Sequence, residues 1–170
     1  MLAPAKINLC LFLGGTRADG KHELVSVMQS LAWGDEVTAE PAEADEVGCP
    51  GVDGPNIASA ALAAAAAGRP PLRITIEKRI PVAAGLGGGS ADAAAVLRLA
   101  AASGLSNRRN TSVGSPTAAE LAVAAALGAD VPAQLRPGRV LATGAGEVVE
   151  WLEPPPRFGV LVVPSEHRLS

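Results

Sequence analysis

The chain has 170 residues and a formal net charge of −3, enough for one ordinary domain and too little for two full-sized ones. Its 48% hydrophobic and 18% charged content excludes a disordered protein. The acidic balance, the lack of Tyr and the scarcity of aromatics (Phe12, Trp33, Trp151, Phe158) argue against a nucleic-acid partner. About a fifth of the residues are alanine, so a core must come from close approach of helix to sheet. Cys10 and Cys49 match no metal or redox spacing and read as reduced thiols. Lys6 and Asn8 interrupt the apolar N-terminal run, and the alanine stretch 58–67 is about half the ~20 residues needed to cross a bilayer. The expectation is a soluble cytoplasmic protein with a small-molecule partner, no membrane contact and an open oligomeric state.

Along the chain, 5–13 alternates as a strand, with Ile7, Leu9, Leu11 and Leu13 on one face and Lys6, Asn8, Cys10 and Phe12 on the other. A turn-rich loop over 14–20 leads to a second strand over 24–31 and a short third over 36–40. Residues 41–55 read as an acidic surface loop. Asn56 is a helix N-cap and Gly68 the stop. A strand over 72–78 follows, with Leu72, Ile74 and Ile76 on one face. A glycine-rich turn leads into a helix from Ser90 to Ser103, closed by Gly104. Residues 106–116 are polar and read as flexible. Thr117 to Glu120 form a capping box for a third helix that Gly128 ends. Strands are expected over 139–143, 147–152 and 158–163. The sum is α+β: a two-layer mixed sheet with helices on one face.

The segment Pro81, Val82, Ala83, Ala84, Gly85, Leu86, Gly87, Gly88, Gly89, Ser90, Ala91 carries the strongest chemical signal. Four glycines in five positions remove the side chains that would keep a ligand off the backbone, and they permit positive φ. The helix that follows adds unpaired N–H groups and the positive end of its dipole. Such a turn suits a polyphosphate. The plain alternative is a tight strand-to-helix turn with no ligand. It is not a Walker A loop, which needs a lysine, nor a dinucleotide fingerprint, since Ser90 stands where the third glycine would be.

The order of residues in this segment resembles the phosphate-binding motif of the superfamily named for galactokinase, homoserine kinase, mevalonate kinase and phosphomevalonate kinase. Pro4 to Leu9 (PAKINL), followed by Arg17 to Leu24 (RADGKHEL), looks like the N-terminal signature of one branch, the 4-diphosphocytidyl-2-C-methyl-D-erythritol kinases of the non-mevalonate isoprenoid pathway. Gly128 to Pro132 (GADVP) is similar to that branch's catalytic-aspartate segment. The resemblance implies ATP-dependent phosphorylation of the substrate's 2-hydroxyl, with ATP as co-substrate and Mg2+. It assigns Lys6 as catalytic lysine and Asp130 as base, residues 81–91 to the triphosphate, and Asn56 and Lys78 to the adenine. Asn8, His22 and Lys21 would face the substrate, His22 at its cytosine.

Phosphoryl transfer asks for a triphosphate cradle, a cation at the transferring group and a base at the hydroxyl, and these residues match that need. Taken without the resemblance, Lys6 would be an exposed strand lysine, Asp130 a residue capping the next turn, and His22 a solvated loop side chain. Lys21 stands where the family usually has a tyrosine that stacks on cytosine, so nucleobase recognition differs here. The family would continue past Ser170 into a second domain. The chain therefore reads as an ATP-binding domain over 1–153 and the start of a truncated second one over 154–170. Two other readings stay open: another small-molecule kinase of the superfamily, and a non-catalytic fragment that binds nucleotide or protein.

Overall fold

The computed structural model describes residues 1–52, 56–104 and 115–163. Six strands form one mixed sheet: β1 (Leu2–Thr16), β2 (His22–Pro41), β3 (Glu46–Gly48), β4 (Leu72–Glu77), β5 (Arg139–Thr143) and β6 (Val148–Leu152). The helices are α1 (Ile57–Ala64), α2 (Gly88–Ser103), α3 (Ala118–Leu127) and a single turn, α4 (Val131–Gln134). Among the described residues only β3 and β4 pair in parallel; the other pairings are antiparallel. The expected fold class is what is observed. Among the described residues no helix is long and apolar enough to cross a membrane.

β2 is the spine. β1 runs beside it from Thr16 opposite His22 to Leu2 opposite Glu36. β4 pairs with its last six residues and β5 with Ser26 to Gln29. The two strands expected over 24–31 and 36–40 are thus one continuous strand, because the intervening Gly34 and Asp35 stay in the ladder opposite Pro4 and Ala3. Gly34 makes this possible. A Cβ there would overlap the Ala3 carbonyl oxygen and lie 2.6 Å from Pro4 Cα, next to an irregularity in the β1 register between Pro4 and Lys6.

The core is light in side-chain volume and close in approach. α2 buries Ala91, Ala93, Ala94, Ala95, Val96 and Ala100 in one cluster with Ala3, Val37, Ile74 and Ile76 of the sheet and Ala58, Ala61 and Leu62 of α1. Alanine's small side chain brings helix and sheet backbones near each other, so apolar area is buried without bulk. β4 shows the alternation read from its sequence, with Leu72, Ile74 and Ile76 buried. The helix starts follow their caps: Asn56 Oδ1 accepts from Ala58 N at 2.9 Å, and Thr117 with Glu120 forms the capping box.

Four expectations need correction. Along β1, Lys6 is buried and is not the exposed strand lysine of the plain reading, while Leu9, Leu11, Phe12 and Leu13 are all exposed. Ala3 packs in the cluster that holds α2, Ala5 is covered by Ile80 and Leu86, and the exposed leucines lie further along the hairpin. The first helix ends at Ala64, with Ala65 as C-cap, before Gly68. The segment 41–55 contains the short strand β3, pulled into the sheet by β4. Residues 158–163 form no strand. They lie beside Gln29 to Trp33, and Val162 packs on Ala5, Ile80 and Leu86. Among the described residues they pair with no strand, and an apolar run without a ladder partner does not make a strand. The expected flexible segment 106–116 lies outside the described residues up to position 114.

Gly34→Ala is expected to destabilise the fold by about 3 kcal/mol, the upper range for forcing an atom into packed backbone. Urea unfolding of the two proteins measures it. A loss below about 0.5 kcal/mol would mean that the two strands separate freely here.

Candidate active site

The loop between β4 and α2 is built on three left-handed residues: Ala83 (φ 60°), Gly85 (φ 73°) and Gly87 (φ 70°). Gly87 is the N-cap of α2 and brings no side-chain cap. The helix therefore opens at Gly88, two residues before the expected start. Its first N–H groups have no carbonyl four residues back to bond, and the residues that carry them, Gly88, Gly89 and Ser90, line a cavity of about 330 Å³. Pro81, Val82, Ala83, Ala84, Gly85, Leu86 and Gly87 complete its loop wall, and Asn56 and Lys78 stand in the same wall. Cys49, Val52, Ile57 and Asp92 line it as well. Of the loop residues read from sequence, Ala91 alone is outside this wall: it is buried, and its N–H bonds the Gly87 carbonyl at 2.9 Å.

Lys6 meets the loop from the sheet side. Its backbone N–H donates to the Leu86 carbonyl at 2.9 Å. A Cβ on Gly87 would fall 2.8 Å from Lys6 Cγ and 3.0 Å from its Cε, so a left-handed, side-chain-free residue is required there. Lys6 Nζ lies 3.3 Å from Asp130 Oδ2, although 124 positions separate the two in sequence (130 − 6). Asp130 precedes α4 but makes no side-chain cap bond there, so the plain capping role does not hold. Its side chain is 31% exposed, against 10% for that of Lys6, which leaves a carboxylate reachable from solvent beside a sheltered ammonium.

A relay of hydrogen bonds orients that ammonium. Lys6 Nζ donates to Asn8 Oδ1 at 2.8 Å, Asn8 Nδ2 donates to Ser26 Oγ at 2.7 Å, and Ser26 Oγ donates to the Cys10 carbonyl at 2.8 Å. Ser26 is fully buried, and nothing local in its sequence marked it. His22 and Lys21 are not brought to this point. His22 pairs with Thr16 at the turn end of the hairpin, whereas Lys6 pairs with Ser30, eight residues and roughly 26 Å further along β2 at ~3.3 Å per residue. Both are exposed, and the Lys21 N–H donates to Asp19 Oδ1 at 3.1 Å. That end of the hairpin is tied to the β5–β6 turn by Arg17 Nη1 on Glu147 Oε1 at 2.8 Å.

A charged cluster underlies the cavity that the sequence reading did not find. Lys78 Nζ bonds both Asp35 Oδ2 and Asp92 Oδ2, the latter at 2.8 Å. Asp35 and Asp92 are buried. Burial pulls the Lys78 ammonium down, but its two carboxylates more than reverse this and hold its pKa above the usual value. Burial pushes the Asp92 carboxyl up to about 6, against the opposing pull of Lys78. Among the described residues no three His, Cys, Asp or Glu side chains gather as a metal cage.

Residues 56–138 match the family model described as GHMP kinases N terminal domain. The chain is similar to the 4-diphosphocytidyl-2-C-methyl-D-erythritol kinase of Anaeromyxobacter sp. (strain K), 43% identical over 179 aligned positions, covering 99% of this chain and 55% of the relative. The same-named enzyme of Carboxydothermus hydrogenoformans is 44% identical, over 96% of this chain and 56% of the relative. A crystal structure of 4-(cytidine 5'-diphospho)-2C-methyl-D-erythritol kinase superposes with a TM-score of 0.70 at 36% identity, over 91% of this chain and 55% of that one. The Methanococcus jannaschii mevalonate kinase shares the fold, with a TM-score of 0.54 at 11% identity. The chain spans about half the length of the curated relatives it matches. The resemblance read from the motifs is borne out: this is the GHMP-kinase N-terminal domain fold, in a sequence similar to the cytidyl-methylerythritol kinases.

The raised Asp92 pKa sets the sign of a pH effect. Between the ordinary carboxyl value of 3.8 and about 6, the folded protein holds a proton that the unfolded chain has released. The contribution of Asp92 to stability is therefore full below pH 3.8 and is lost as pH rises through 6. Asp92→Asn cannot titrate, so its melting temperature relative to wild type should climb by a few degrees between pH 4 and pH 7. Thermal melts at the two pH values check this, and an unchanged difference would place the Asp92 pKa near its ordinary value.

Proposed function

We propose that this chain supplies the ATP-binding and proton-accepting groups of a kinase that phosphorylates the 2-hydroxyl of 4-diphosphocytidyl-2-C-methyl-D-erythritol, in non-mevalonate isoprenoid biosynthesis. The observation that carries the reading is the meeting of Lys6 and Asp130 at 3.3 Å on the flank of the glycine loop. The names of the relatives supply the substrate. The ATP-binding unit is assigned to 1–153, since β6 ends at Leu152. The reaction belongs in the cytoplasm, where the nucleotide and the polar substrate are found.

Each group has a task that its setting suits. The N–H groups of the loop and of the first turn of α2 hold the triphosphate in the cavity. Asp130 accepts the hydroxyl proton as the new oxygen–phosphorus bond forms, and the bond from the γ-phosphorus to the bridging oxygen breaks to release ADP. The Lys6 ammonium offsets the charge on the transferring group and is aimed by Asn8. Asn56 and Lys78 border the adenine side of the cavity. The Lys78 ammonium is engaged by Asp35 and Asp92, so its alkyl stem is what it offers a base. His22 and Lys21 are assigned to the cytosine end.

The groups present fit Mg2+ carried on the phosphates, which generally bind this ion together with water and one or two carboxylates. Asp130 is committed to the hydroxyl proton, so the ion would be held by the phosphates and water. The bound ion would supply charge neutralisation between the phosphates.

In the enzyme carrying this chain, Asp130→Asn should lower turnover by roughly 10²–10⁴ and leave ATP affinity within about twofold. Assaying ATP-dependent phosphorylation of the cytidyl-methylerythritol substrate, with calorimetric ATP titration, checks both. Normal turnover with collapsed ATP binding would assign Asp130 to structure alone and remove the basis of the reading.

A further inference from the structure

The loop that lines the cavity has two roots, and one ammonium touches both. Lys78 lies three residues before Pro81, and Asp92 lies two residues after Ser90. Lys78 Nζ donates to Asp92 Oδ2 at 2.8 Å, which closes the loop at its base. The second partner of Lys78, Asp35, belongs to the spine strand. Its Oδ1 accepts from Arg79 N at 2.6 Å and Ile80 N at 2.8 Å, fixing the backbone just before the loop departs. A Cβ on Gly88 would lie 3.1 Å from Lys78 Nζ, so the ammonium also sets where the first turn of α2 can sit.

Asp92 is a costly residue for this position. Its neighbours Ala91, Ala93, Ala94 and Ala95 are buried alanines, and alanine is the stronger helix former. Asp92 is 2% exposed, and its Oδ1 is buried with no hydrogen-bond partner among the described residues. A buried acceptor without a partner lowers stability. What its carboxylate does that alanine cannot is hold Lys78 against the start of α2. A group kept at the expense of stability beside a ligand cavity belongs to function.

We propose that Asp92 is a positioning residue for the phosphate cradle: through Lys78 and Asp35 it holds the two roots of the loop together and keeps the first N–H groups of α2 aimed into the cavity. It touches no reacting atom. The assignment of the cavity to a triphosphate rests on the kinase reading, whereas the clamp itself is a property of the free chain.

Amide hydrogen exchange and ATP titration of the 170-residue protein, as wild type, Asp92→Ala and Asp92→Asn, test it. Asp92→Ala should speed exchange over 82–91 at least fivefold, leave β2 and β4 within twofold, and weaken ATP binding about tenfold. Asp92→Asn retains a carbonyl oxygen that can accept from Lys78, and should return loop exchange and affinity to within about threefold of wild type. Loop exchange unchanged in Asp92→Ala, loop and sheet accelerated alike, an Asp92→Ala chain that does not fold, or no rescue by Asp92→Asn would each overturn the proposal. Absence of ATP binding to wild type would instead count against the kinase reading, and loop exchange would still decide the clamp.

Discussion

The glycine loop can rest on β1 only because Gly87 has no side chain. With φ at 70° and the Lys6 stem where a Cβ would be, position 87 is closed to other residues on both conformational and steric grounds. The Lys6 N–H on the Leu86 carbonyl then joins strand and loop at the same place. One contact thus fixes three things together: where α2 begins, where the cavity wall runs, and how far the Lys6 ammonium lies from that wall. A larger residue at 87 would separate cation and cradle even if every charged group remained.

β2 carries this arrangement from beneath. Its Ser26 anchors the relay that orients Lys6, and its Asp35 anchors the loop root through Arg79 and Ile80. The two anchors lie nine residues apart on one strand (35 − 26), with Gly34 admitting the crossing of β1 between them. A continuous spine is stiffer than the two separate strands expected from sequence. The site is therefore supported by a sheet element rather than by loops, and this suits chemistry that depends on position.

Local signals were legible in the sequence: the glycine loop between strand and helix, the Asn56 and Thr117 caps, the alternation of β4, and the motif order that brought Lys6 and Asp130 into one argument. The features that escaped are non-local. The apolar alternation of β1 marked the strand but not its burial, because periodicity reports a pattern, not what covers it. Lys6 turned out buried where leucines are exposed, since the glycine loop rests on Lys6 and not on the strand beyond it. Ser26, Asp35 and Asp92 carry no signature in their neighbourhoods, and their roles come from partners 14 or more residues away. The strand expected over 158–163 failed because strand formation needs a ladder partner as well as propensity.

Two of the chain's three lysines adjoin the loop, and their surroundings divide the work between them. Lys78 is held by two buried carboxylates, one of them also bonded to two backbone N–H groups. Pulling that ammonium away would strand buried charge, which is expensive. Lys6 faces one partly exposed carboxylate at 3.3 Å and a neutral amide. An ion pair in contact with water contributes little and separates at small cost. An arriving phosphoryl group can therefore draw on Lys6 while an arriving hydroxyl takes up Asp130, and neither leaves an uncompensated charge in the core. Lys78 cannot serve in that way without loosening the base of the loop. The difference in desolvation assigns one lysine to transfer and the other to support.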